Sequence, residues 1–290
     1  MGGTQRMAAM GQGFSILDCR ASDDPPAIDR TFMARPCETR RRAILTRTVE
    51  FEVIPRLLRA RRPASVTPAH VAELVELTLG PVEPATSGFV EVMRHQGFRA
   101  ESLYLDLLSP AAVRLGDMWV EDLCDFTDVT IGLNRLQGAM RVLSPSFLGP
   151  AFLAGAELGA RRAILVPLPG EQHTFGLAMV HEFFRRAGWS AWSGPIASAA
   201  ELATMLRTEW FDVLGFSLSC DERLDSVPRQ IRAVRQASRN PALAVMVGGP
   251  PFTLDPTLVA AVGADGTARD ALEAVAQAES LVEERRRRQA

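Results

Sequence analysis

The sequence predicts a helical bundle followed by a doubly wound α/β domain built on a parallel five-stranded sheet. Three observations carry that prediction. Upstream of residue 150 apolar residues recur at helical spacing, and no segment alternates like a strand over a useful length. Beyond Ala160 short apolar runs alternate with amphipathic helical stretches, the order expected of a parallel sheet. Pro and Gly cluster between Pro145 and Ala156, which marks the joint. With 290 residues, 47% of them hydrophobic and 23% charged, the chain has the apolar content for two modest cores.

Residues 1–38 mix Gly, Pro, Arg and Asp with little periodicity and read as a flexible arm. From Thr39 the pattern turns helical, with Ile44, Val49, Val53, Leu57 and Leu58 near one face and Pro55 predicting a kink. Thr67 followed by Pro68 is a helix start, continued by the apolar positions Val71, Leu74, Val75 and Leu77. Further helices are predicted over Ser87–Gln96, Glu101–Trp119 and Asp125–Leu143, and a bundle spanning 39–150 is the simplest packing for them.

The α/β domain, 156–290, has its strands at Ala163–Val166, Ser190–Trp192, Val213–Leu218 and Leu243–Val247, with a short fifth around Ala264–Gly266. Helices fall at Phe175–Ala187, Ala199–Thr208 and Val227–Ala237, and Arg285–Arg288 extends a final one, where cations favour the C-terminal dipole end.

A formal charge of −2 gives no global drive toward nucleic acid. No stretch has the apolar length of a membrane span and the N-terminus lacks a secretory pattern, so a cytoplasmic location is expected. Cys19, Cys37, Cys124 and Cys220 are scattered without a C-x-x-C pair, which argues against a zinc site or a disulfide framework.

In an open α/β sheet ligands bind beyond the carboxyl ends of the strands, near the reversal of strand order. The loop after the first predicted strand, Pro167 to Gly176, holds Glu171, His173 and Gly176 and lacks the G-x-G-x-x-G order of dinucleotide binding. An imidazole is a common metal ligand, and a nearby carboxylate that accepts its other ring N–H fixes the tautomer. Gly176, Ser217 and Gly248-Gly249 keep the same rim small, which together suggests a slot for a large, flat or tailed cofactor. Taken alone the histidine fits several structural roles, and the glycines fit turns.

Glu171-x-His173-x-x-Gly176, then Ser217-Leu218, then Gly248-Gly249, resembles the D/E-x-H-x-x-G, S-x-L and G-G signature of the cobalamin-binding domain family. The resemblance implies base-off, His-on binding, with His173 as the lower axial cobalt ligand and Glu171 as its hydrogen-bonding support. Ser217, Leu218, Gly248 and Gly249 would then line the channel for the nucleotide tail. Leu115-Gly116-Asp117-Met118-Trp119 resembles the helical cap of photoreceptor and methyltransferase relatives, which would set Trp119 over the upper face. Val129-Thr130 stands where that cap carries Glu-His, and Val120 where the photoreceptors carry histidine, so no upper ligand is assigned; His70 and His95 are weak candidates.

The stretch Trp119 to Gln137 is most similar to the AerR/PpaA antirepressors of photosynthetic proteobacteria. That resemblance implies a non-enzymatic, light- or cofactor-responsive regulator that binds a CrtJ/PpsR-type repressor of photosynthesis genes and makes no sequence-specific DNA contact itself. Adenosylcobalamin or hydroxocobalamin is the expected cofactor. A haem sensor of the same fold, a corrinoid carrier subunit of a methyltransferase and a cofactor-free interaction module are the alternatives.

Overall fold

Thr67 and Pro68 begin a helix as their residue types dictate: Pro68 needs no backbone donor at the first turn, and His70 Nδ1 accepts the Thr67 N–H at 3.1 Å. The structure is a computed structural model that describes residues 64–149, 161–196 and 198–289, and these fall within one compact unit, Pro63–Ala290. The predicted arm, the helix from Thr39, most of the Pro/Gly joint, Cys19 and Cys37 lie outside the described residues.

The helical part comprises α1 (Pro68–Leu79), α2 (Ala85–His95), a rod made of α3 (Ala100–Ser102), a π-helical stretch (Leu103–Leu108) and α4 (Ser109–Val120), then α5 (Phe126–Leu148). The wide π turn precedes Pro110, whose missing N–H leaves the regular ladder short of a donor. It also sends Leu103, Tyr104, Leu107 and Leu108 all into the core. Asp125 caps α5 by accepting the Asp128 N–H at 2.8 Å, and Asp128 reciprocates. The sequence predicted a stop before Pro145, yet α5 runs on to Leu148 with Pro145 inside it. Gly149 closes it at φ 80°, donating to the Pro145 carbonyl.

The second part alternates as predicted: β1 (Arg162–Pro167), α6 (Phe175–Arg186), β2 (Ser190–Ser193), α7 (Ala199–Thr208), β3 (Val213–Ser217), a 3-10 turn (Asp221–Ser226), α8 (Val227–Ala237) and β4 (Ala244–Gly248). Two short helices not foreseen, α9 (Pro250–Leu254) and α10 (Thr257–Val262), precede α11 (Ala271–Gln289). All pairings are parallel and the order is β2-β1-β3-β4, so the reversal of strand order falls between β1 and β3.

The expected fifth strand is corrected to a single bridge between Met246 and Gly266, leaving a sheet of four strands among the described residues. Asp265 explains this. Its carboxylate accepts the Val245 N–H at 2.7 Å, a donor that a fifth strand would have paired through its backbone, and it is held there by Arg235 and Arg285.

Side-chain alternation along the strands divides the apolar residues between two faces. Ile164, Val166, Leu214 and Phe216 pack with α7 and α8. Ala163, Leu165, Val213 and Ala244 pack with α6 and α11, and this cluster continues without a break into the bundle. The join is aromatic: Phe183 on α6 lies 4.8 Å from the Phe147 ring and 5.9 Å from the Tyr104 ring.

Candidate cofactor-binding site

The β1–α6 loop begins at the central strand and turns at Gly170, φ 85°, where a side chain would collide with the Arg223 guanidinium folded over it. The next residue, Glu171, points inward with 3% of its side chain exposed, whereas the His173 side chain is 67% exposed. Glu171 Oε1 accepts the backbone N–H groups of Gln172 (2.8 Å) and His173 (2.9 Å) and lies 2.6 Å from His173 Nδ1. Its other oxygen accepts the backbone N–H of Ser219 at 2.8 Å and the Ser219 hydroxyl at 2.6 Å. Ser219 Oγ is itself 2.8 Å from His173 Nδ1.

Burial would raise the Glu171 pKa, but the Ser219 hydroxyl, the His173 and Ser219 N–H groups and the imidazole outweigh it and hold it at about 2. A carboxylate ionised at neutral pH beside Nδ1 selects the Nδ1–H tautomer, which turns the Nε2 lone pair toward solvent. No described residue hydrogen-bonds Nε2.

The neighbouring loops complete the rim. Leu218 donates its N–H to the Gly248 carbonyl at 3.0 Å, and its side chain is buried in the core on the α7–α8 face. Gly249 sits at φ 114° with its Cα against the Leu218 carbonyl, where any Cβ would overlap that oxygen. A Cβ on Gly176 or Gly248 would instead meet open space. Ser217 ends β3 and its carbonyl accepts the Leu168 N–H at 2.9 Å.

A cleft of about 840 Å³ runs from this loop between α5 and the ends of β1 and β2, lined by Glu171, His181, Met140, Arg141, Ser144 and Ile196 among others. Burial lowers the His181 pKa, and its Nε2 pairs with the Ala191 carbonyl at 3.1 Å. The structure thus brings Glu171 and His173 together, with Gly176 in the first turn of α6, Ser217 and Gly248 at the ends of β3 and β4 and Gly249 just beyond; of these only Glu171 lines the cleft. Trp119 does not line the cleft; it stands half-exposed at the end of α4, edge-on to Phe126 at 6.4 Å. His70 is engaged in the α1 cap and His95 with Arg94, and neither lines the cleft.

Sequence reasoning missed Ser219 and the α5 residues Met140, Arg141 and Ser144. Ser219 occupies the third place of the S-x-L pattern, where the motif has leucine, and that departure was the available signal. The α5 residues carry no motif and are found only through packing.

Residues 161–276 match the family model described as B12 binding domain. An uncharacterised 20.5 kDa protein encoded in the bchF–crtJ intergenic region of Rhodobacter capsulatus is 28% identical to the chain over 170 residues, which is 59% of this chain and 86% of that protein. The monomethylamine corrinoid protein of Methanosarcina barkeri superposes with a TM-score of 0.60 at 18% identity, over 75% of this chain and 99% of that one, a likeness of fold.

The site's own geometry fits a corrin cofactor. A single imidazole with a free Nε2 suits a metal whose other ligands arrive with it, and no cluster of three or more metal-ligating side chains occurs among the described residues. Glu171, which holds the imidazole, also lines the cleft of about 840 Å³, a volume suited to a large ligand. Among the described residues no helix is long and apolar enough to cross a membrane.

Proposed function

We propose that the protein is a cobalamin-dependent regulator in which His173 Nε2 would ligate the cobalt. The loaded protein then binds a repressor of the CrtJ/PpsR type and relieves repression of photosynthesis genes in response to light or cofactor state. One observation carries the cofactor half of this reading: Glu171, anchored by Ser219, fixes His173 Nδ1 and leaves Nε2 free and exposed. A relative encoded between bchF and crtJ supports the regulatory half.

Bound cobalamin supplies a cobalt centre whose upper ligand is exchangeable. Gly176 and Gly248 carry no side chain to obstruct its tail, and Met140, Arg141 and Ser144 of α5 line the cleft together with Glu171. A change of ligand acts on the partner only if the two arrangements of α5 against the α/β domain bind the cofactor with different affinity. No catalytic role is assigned to any residue.

The test is the mobility of a repressor–operator DNA complex titrated with the cobalamin-loaded protein, kept dark or illuminated. Release of DNA in one state, absent with His173→Ala, is the expected result; a complex indifferent to every form contradicts the regulatory reading. The fold shared with a corrinoid protein favours a second reading, a methyl carrier, which methyl transfer from the loaded protein to a thiol acceptor would support.

A further inference from the structure

The β1–α6 loop is held from the β3 side at three points. Leu168 donates its N–H to the Ser217 carbonyl at 2.9 Å, Glu171 accepts two hydrogen bonds from Ser219, and Arg223 Nη1 donates to the Pro169 carbonyl at 3.0 Å. The first extends the β1–β3 pairing and the second anchors the carboxylate beside the imidazole. The third comes from a long side chain to which the site as described gives no role. Arg223 lies on the 3-10 turn with Asp221, Glu222 and Asp225, yet it forms no salt bridge among the described residues and reaches across to the neighbouring loop instead.

The turn that Arg223 reaches has a shape that receives it. The Glu171 N–H donates to the Leu168 carbonyl at 2.8 Å, with Pro169 and Gly170 in the two central places and Gly170 at φ 85°, the type II pattern. That bond leaves the Pro169 carbonyl unused, and Arg223 satisfies it. Gly170 has no Cβ, so the planar guanidinium lies against the turn itself; a methyl group there would overlap Nη1. The turn ends on Glu171, whose Oε1 lies 2.6 Å from His173 Nδ1. Rotation of the turn therefore swings the carboxylate that sets the ring.

We propose that Arg223 is a positioning residue: bonded to Pro169 and packed on Gly170, it locks the turn that carries Glu171 and so orients the His173 imidazole before the cofactor binds. The identity of the ligand rests on the cobalamin reading above; the lock on the turn does not. Arg223 does not line the cleft, so it acts through the loop and not on the ligand. A ligating group ordered in advance binds more tightly, because less conformational freedom is lost on binding.

The test uses the full-length protein with and without hydroxocobalamin. Without it, the imidazole nitrogen chemical shifts of His173, taken at about pH 8 where an ordinary imidazole is neutral, report the Nδ1–H tautomer in wild type and move toward a mixture of tautomers in Arg223→Ala. Titrated with hydroxocobalamin, Arg223→Ala binds at least about tenfold more weakly than wild type, and at saturation part of the cobalamin lacks the histidine-ligated spectrum. Arg223→Lys, whose ammonium can still donate to the Pro169 carbonyl, recovers part of both losses. Gly170→Ala displaces the guanidinium, so removing Arg223 in that background costs far less than it does in wild type. Equal losses from Arg223→Ala in the two backgrounds overturn the proposal. So does an unchanged tautomer, whether affinity stays at the wild-type level or falls with histidine ligation complete, the mark of a general loss of fold. Failure of wild type to retain cobalamin overturns the cobalamin reading instead, and the tautomer shift then decides the role of Arg223.

Discussion

Ser219 holds both partners of the site at once, donating twice to Glu171 Oε2 and lying within hydrogen-bond distance of His173 Nδ1. Its hydroxyl contributes to the orientation of the ring without reaching the ligand. Ser219→Ala should therefore leave His173 in place but weaken cobalamin binding by about 10–100-fold, the usual loss when an outer-shell partner is removed, read by absorbance titration. An unchanged affinity would mean that Glu171 orients the ring alone. Glu171 also ties stability to pH. Because folding lowers its pKa from the ordinary 4.5 to about 2, its contribution is complete above 4.5 and is lost as pH falls from there through about 2. Urea midpoints of wild type and Glu171→Gln should differ by a constant amount from about pH 7 to about pH 5 and converge in stronger acid; a gap that persists unchanged to about pH 3 would contradict that assignment. Glu171 and His173 were legible because one short loop holds both. Ser219 was not, because its role depends on β1 and β3 being neighbours, a long-range fact that a local motif does not carry.

Elements followed the sequence wherever one physical preference acted alone. The buried strands β1, β3 and β4 read as short apolar runs, and α7 and α8 end where the apolar periodicity ends. Misreadings arose where two preferences competed. Pro145 breaks the hydrogen-bond ladder, but Leu143 and Phe147 on either side of it are buried, and that packing carries α5 past it. At Asp265 a side-chain acceptor displaced a strand partner, so apolar pattern alone overstated the sheet. The α4–α5 turn gives a test at this scale: Asp122→Gly relieves a left-handed conformation and should raise stability by roughly 1 kcal/mol in urea unfolding. A loss of stability would show that Asp122 makes a contact the fold depends on.

Across the whole molecule the bundle and the α/β domain share one apolar cluster, reinforced by a polar tie in which Ser144 of α5 donates to Glu182 of α6 at 2.5 Å while Arg185 donates to the same carboxylate at 2.6 Å. Ser144→Ala should cost about 1.5–3 kcal/mol, the range for a hydrogen bond to a charged group, with bundle and sheet still unfolding in one transition; separate transitions would show that the two parts are independent. The same tie lines the cleft, so a ligand there touches both sides of the join, which gives a cofactor access to the packing that a partner would sense. Ligation of cobalt by His173 is read from the visible absorption of the protein desalted after incubation with adenosylcobalamin in the dark or hydroxocobalamin in the light. Retained, base-off and histidine-ligated cobalamin is expected in wild type, with the ligation signature lost in His173→Ala; an identical spectrum in the variant, or a His173-dependent Soret band with haem and no retention of cobalamin, would overturn the proposed ligation.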